Sequence, residues 1–85
     1  MTQIAWNYKT TTSEVYIAGD FTNWENVLMT PVLDQTQNVT AYVYNTNLSP
    51  GTYQYKFYVD NDWVHDGASL SILNPFNSYN NYITV

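Results

Sequence analysis

The ionisable residues with any prospect of acid–base chemistry cluster in one short stretch: Asp60, Asp62, His65 and Asp66. A hydrolase needs a nucleophile with its base, or two carboxylates facing each other in a cleft. These four sit instead on and just after a turn, where they are expected to be solvated, so no enzymatic activity is expected. His65 is the sole histidine and the chain has no cysteine, which excludes imidazole-rich and thiolate metal centres. Asp60-Asn61-Asp62 lacks the downstream Gly and Glu of a calcium loop. No glycine-rich phosphate loop is present, and neither metal nor cofactor is expected.

The chemistry that remains is recognition, and the stretch Thr52–Asp66 carries it. Tyr53, Tyr55, Phe57 and Val59 alternate with Gln54, Lys56, Tyr58 and Asp60, the period-two signature of a half-buried strand. Lys56 is therefore expected to point to solvent. Asn61-Asp62 supplies two central residues that tolerate positive φ, so the strand is expected to reverse there. In that register Trp63 lies opposite Asp60 on the Lys56 side, and Val64 lies opposite Val59 on the core side. An exposed tryptophan forgoes the burial that stabilises a small domain, and ligand contact is the usual reason. At roughly 3.3 Å per residue, Lys56 is about 13 Å along the strand from Asp60. A face of that length suits an oligosaccharide better than a single sugar.

The composition points the same way. Two lysines, no arginine and seven carboxylates give a net charge of −5, which repels phosphate backbones and anionic membranes, so nucleic acid and membrane partners are not expected. Aromatic residues are 18% of the chain and charged residues 11%, a balance that favours ligands with ring faces and hydroxyls over charged ones. Neutral carbohydrate fits; the plain alternative is that nine tyrosines simply suit strands. Eighty-five residues make one domain, with roughly 60–65% of its unfolded surface buried. Met1 to Tyr8 carries no basic, apolar leader and no stretch is long and apolar enough to span a membrane. Together with the lack of cysteine, this gives the expectation of a soluble, cytoplasmic protein.

Strands are predicted around Ile4, Trp6 and Tyr8, over Val15–Ala18, over Val39–Tyr44 and at the closing Tyr82–Val85. Pro31 marks Leu28–Leu33 as an edge strand or a bend. No stretch shows helical periodicity, so the fold class is all-β, a sandwich of short strands. Asp20–Asn26 and Gly67–Asn81 read as irregular loops, where binding residues tend to sit. Asn38-Val39-Thr40 and Asn47-Leu48-Ser49 match the N-glycosylation pattern, which arises readily by chance in a chain rich in Asn and Thr.

Four ordered motifs carry a resemblance: Glu14-Val15-Tyr16-Ile17-Ala18-Gly19-Asp20-Phe21-Thr22-Asn23-Trp24, Gln54-Tyr55-Lys56-Phe57-Tyr58-Val59-Asp60, Trp63-Val64-His65-Asp66 and Asn80-Asn81. Together they resemble the glycogen-binding module of AMP-activated protein kinase β subunits, related to modules that precede the catalytic domains of glycogen-branching and starch-debranching enzymes. The resemblance implies an immunoglobulin-like sandwich that binds α-1,4-linked glucan without catalysis and tethers a parent kinase or glucan-active enzyme to polysaccharide. It implies a sugar platform of Trp24 and Trp63, with Lys56 and Asn80 bonding hydroxyls and Ser78 at the family's hydroxyl position. Phe76 falls where the kinase modules have a leucine that pushes against the sugar rings. Thr22 and Asn61 replace residues usually Asn and Gly, and the segment between Trp24 and Pro50 is longer than in the animal subunits. The alternatives are a protein-interaction module of the same fold that has lost sugar binding, against which both tryptophans argue, and a stand-alone carrier. Taken singly, the tryptophans are also compatible with core packing, Lys56 with a solubilising strand lysine and Asn80 with a turn former.

Overall fold

Short alternating runs separated by Asn, Asp, Gly and Pro build a chain of strands. The computed structural model describes residues 1–7 and 14–85; Tyr8, assigned above to the first strand, lies outside them. In chain order the elements are β1 (Thr2–Trp6), β2 (Tyr16–Gly19), a 3₁₀ turn (Asp20–Thr22), β3 (Val27–Leu28), β4 (Thr30–Leu33), β5 (Val39–Thr46), β6 (Thr52–Val59), β7 (Asp62–Val64), β8 (Ser71–Leu73) and β9 (Tyr79–Thr84). One sheet has the order β1-β5-β4; the other runs β3-β2-β6-β9-β8, with β7 paired to β6. All pairings are antiparallel. The protein is an all-β, immunoglobulin-like sandwich. Pro31 lies on β4 at an edge of the smaller sheet, where its missing N–H leaves no ladder gap. Among the described residues no helix is long and apolar enough to cross a membrane.

The two inner faces meet in a core of Ile4, Trp6, Val15, Ile17, Met29, Tyr42, Tyr55, Phe57 and Val59. Its centre is a stack of Trp6 from one sheet on Phe57 from the other, centroids 4.1 Å apart and planes 7° from parallel. Tyr55 meets Phe57 edge-on at 5.7 Å. Burial first, and then the charge of Asp66, raise the Tyr55 pKa above its ordinary value, so the ring stays neutral wherever the protein is folded near neutral pH.

Three expectations are corrected. The β6–β7 hairpin turns at Asp60-Asn61, with φ of 52° and 65°, not at Asn61-Asp62; Trp63 therefore pairs with Tyr58 and Val64 with Phe57. Two consecutive left-handed residues match the right-handed twist of the flanking strands, and Asp-Asn tolerates them. The stretch Gly67–Asn81 is not wholly irregular: it holds β8, and the closing strand starts at Tyr79 rather than Tyr82. An exposed edge strand such as β8 lacks the apolar–polar alternation that would reveal it. Lys56 does not point to solvent. It is on the outer face, as its parity requires, but only 7% exposed, because residues 74–78 rise over it.

Gly19 ends β2 where the chain presses on β6. A Cβ there would lie 2.6 Å from the Gln54 carbonyl oxygen and 2.8 Å from Tyr55 Cβ. Gly19→Ala is expected to destabilise the fold by about 1–3 kcal/mol, read as a lower urea midpoint with unchanged slope.

Candidate carbohydrate-binding groove

The site begins with a seam in the larger sheet. On one side of β6, β2 pairs continuously with Tyr55 to Tyr58. On the other side β9 pairs with Thr52 to Tyr55 and β7 with Phe57 to Val59, so Lys56 falls between the two ladders. The outer face at this seam is open to whatever the neighbouring loops bring over it. Three of them do: the loop after β2, the β6–β7 hairpin and the β8–β9 turn.

The loop after β2 presents Trp24. Asn23 and Trp24 both have left-handed backbone, φ 58° and 60°, costing on the order of 1–3 kcal/mol per residue in the absence of support. Support is present. Trp24 N–H donates to the Gly19 carbonyl at 2.9 Å, and the Thr22 hydroxyl accepts from Gly19 N–H at 3.0 Å. Asp20 then clamps the ring: one carboxylate oxygen accepts from Trp24 Nε1 at 3.1 Å and the other from the Gln54 backbone N–H at 2.7 Å. Thr22 thus supplies a short polar side chain at the loop's base.

The hairpin presents Trp63. It is 48% exposed, and Trp24 is 41% exposed, so neither belongs to the core. Tyr58, its cross-strand partner, braces the Trp63 indole edge-on at 5.0 Å. The β8–β9 turn presents the third wall. Asn74 opens it with an Asx turn, its Oδ1 accepting from Phe76 N–H at 2.9 Å and Ser78 N–H at 3.1 Å. Pro75 follows with its φ already set, and Asn77 closes the turn at φ 61°. Phe76 stands out at the tip, 88% exposed.

Between these walls lies a groove of about 830 Å³, a volume typical of small-ligand clefts. Trp24, Lys56, Trp63, Phe76, Ser78 and Asn80 all line it, so the structure brings all six residues expected from the sequence together. Its floor is polar and ordered. Lys56 Nζ donates to Ser78 Oγ at 2.6 Å. Asn80, only 8% exposed, donates from Nδ2 to Gln54 Oε1 at 3.2 Å and accepts at Oδ1 from Asn74 Nδ2 at 3.0 Å. Asp20, Gln54 and Asn74 also face the groove and were not anticipated. Gln54 was legible, two residues before Lys56 on the same strand face; Asp20 and Asn74 lie in loops whose paths no periodicity gives.

Two flat, partly exposed indoles over a floor of amides, a hydroxyl and one ammonium suit a ligand with apolar ring faces and a hydroxyl periphery. The ionisable residues of the hairpin are arranged otherwise. Asp66 caps its own loop, accepting from Ala68 N–H at 3.0 Å and Ser69 Oγ at 2.8 Å. The loop is tied to β9 by Asn81, fully buried, whose Oδ1 accepts from Asp66 N–H at 2.7 Å. His65 is half-buried against Tyr79, centroids 5.5 Å apart. His65 and Asp66 are therefore structural rather than freely solvated as expected, while Asp60 and Asp62 are exposed. The Asn80-Asn81 pair divides by strand parity into one groove residue and one core residue.

The sequence pattern described as the glycogen recognition site of AMP-activated protein kinase matches residues 1–85. The chain belongs to this family. It is 36% identical over 72 residues to the 5'-AMP-activated protein kinase subunit beta-1 of Rattus norvegicus, which covers 85% of this chain and 24% of that subunit. It is 35% identical over 72 residues to subunit beta-2 of Homo sapiens, covering 85% of this chain and 25% of the subunit. The chain thus spans about a quarter of the length of these curated relatives.

Proposed function

We propose that this chain is a non-catalytic module that binds α-1,4-linked glucan of the glycogen or starch type in the groove between Trp24 and Trp63, and that it holds a parent kinase or glucan-active enzyme on polysaccharide in the cytoplasm. The observation that carries this reading is the pairing of two half-exposed indoles on the walls of one groove whose floor is lined by Lys56, Gln54, Ser78 and Asn80. Glucose rings stack their C–H faces on Trp24 and Trp63, while the floor groups exchange hydrogen bonds with hydroxyls. Ser78 and Gln54 already hold Lys56 and Asn80 in place, which reduces the ordering cost on binding.

Titration with maltoheptaose or β-cyclodextrin, followed by tryptophan fluorescence, is expected to give saturable binding with a micromolar to low millimolar Kd, roughly −8 to −4 kcal/mol. Absence of any saturable change at millimolar ligand contradicts the reading and favours an interaction module. The affinity is expected to be nearly independent of salt, since a neutral ligand releases no counterions. A loss of about tenfold or more between low and moderate ionic strength points to a charged partner.

Phe76 shapes one end of the groove. Its ring can lie flat on a linear chain, but it is wider and stiffer than the leucine found there in the kinase modules and enters a closed ring of glucoses less readily. Phe76→Leu is expected to improve β-cyclodextrin binding relative to maltoheptaose by about 1 kcal/mol, measured by calorimetry on both proteins. An unchanged ratio removes Phe76 from the site.

A further inference from the structure

The outer face of the larger sheet continues past the groove. Thr52, Gln54 and Lys56 share one face of β6 by strand parity, so Gln54 stands about 6.6 Å and Thr52 about 13 Å from Lys56 along the strand. Across the ladder, Tyr82 pairs with Gln54 and Thr84 with Thr52. Beyond Gln54 lies a second concavity of about 220 Å³, lined by Thr52, Gln54, Ser71, Ile72 and Tyr82. Gln54 lines both concavities, so they are neighbours on one surface.

This second cleft repeats the chemistry of the first on a smaller scale. Tyr82 offers a partly exposed aromatic ring and Ile72 an exposed apolar edge. Ser71 and Thr52 add hydroxyls, and Gln54, whose Oε1 accepts from Asn80, keeps its amide N–H groups to donate. The cleft has no charged lining residue, so an anion or cation finds no countercharge in it.

We propose that the cleft at Gln54 and Tyr82 is an extension subsite that takes a further glucose residue of a linear α-glucan whose preceding residues occupy the Trp24–Trp63 groove. The inference rests on the glucan-binding reading above and adds a direction: the chain leaves the groove along β6 toward Thr52. Gln54 bridges the two positions. A closed ring bound in the groove has no free end to send into the cleft, so only linear ligands gain from it.

The test compares maltodecaose with β-cyclodextrin by calorimetry on the whole chain, for wild type and Tyr82→Ala. Removing the ring is expected to weaken maltodecaose by about five- to tenfold, the scale of one aromatic contact, and to leave β-cyclodextrin unchanged. Thr52→Trp, exposed at the start of β6 on the same face as Gln54 and Tyr82, fills the cleft and is expected to act in the same way should Tyr82→Ala fail to fold. A variant that folds and binds both ligands as wild type does overturns the subsite, as does an equal loss for both. Wild type binding neither ligand instead overturns the parent reading and the subsite with it.

Discussion

Phe57→Ala is expected to unfold the domain. The ring is 1% exposed, stacks on Trp6 at 4.1 Å and meets Tyr55 at 5.7 Å, so it joins the two sheets at the centre of the only core among the described residues. Truncating such a ring removes its transfer free energy and leaves a cavity that strand backbones on both sides cannot close, at a cost of about 3–5 kcal/mol. A domain of this size has a total stability of about 5–15 kcal/mol and tends to the lower end. The expected observation is loss of the cooperative thermal transition, or a midpoint lowered by tens of degrees, in circular dichroism. A variant that melts within a few degrees of wild type would show that the sandwich is held elsewhere.

Trp63→Ala is expected to do the reverse: abolish or severely weaken glucan binding and leave the fold intact. The indole is 48% exposed and, among the described residues, its ring contact is with Tyr58, so its removal costs the folded state little. As one of two platform rings it contributes to a complex far more, and truncating a central aromatic contact costs about 2–4 kcal/mol of binding. That is about a thirty- to thousandfold loss of affinity, which moves a starting Kd near millimolar beyond ordinary titration and a micromolar one to between tens of micromolar and millimolar. Unchanged melting with lost or severely weakened binding is the predicted pair of results. Unfolding of Trp63→Ala alongside a stable Phe57→Ala would invert the assignment of faces.

That assignment was legible in the sequence for a physical reason. The expected turn was misplaced, so the partner of Trp63 shifted from Asp60 to Tyr58. Asp60 and Tyr58 are two residues apart, and a shift of two residues preserves which side every side chain takes, whereas a shift of one would have reversed them all. Parity therefore survived an error in register. The alternation of Tyr53, Tyr55, Phe57 and Val59 likewise gave the core side of β6 correctly, with the last three buried.

Burial of Lys56 was not legible, because its cover comes from Ser78, 22 residues away, through a turn organised by Asn74. Alternation within a strand says which face a residue occupies, not what another loop lays over that face. The same limit explains why Asp20 was missed. Its two hydrogen bonds, to the Trp24 indole and the Gln54 backbone, depend on a left-handed path at Asn23 and Trp24 that propensity disfavours for a tryptophan. Strand β8 escaped because Ser71–Leu73 is short and exposed at every position. It nevertheless carries the turn that closes the groove.

The most direct test of the groove uses the indole N–H resonances of the three tryptophans during titration with maltoheptaose. Trp24 and Trp63 line the groove, whereas Trp6 is buried in the core against Phe57. The predicted result is saturable shifts of the Trp24 and Trp63 signals with one common Kd while Trp6 stays fixed. Shifts confined to Trp6, or no shift of either groove tryptophan at saturating sugar, would contradict the assignment of this groove as the glucan site.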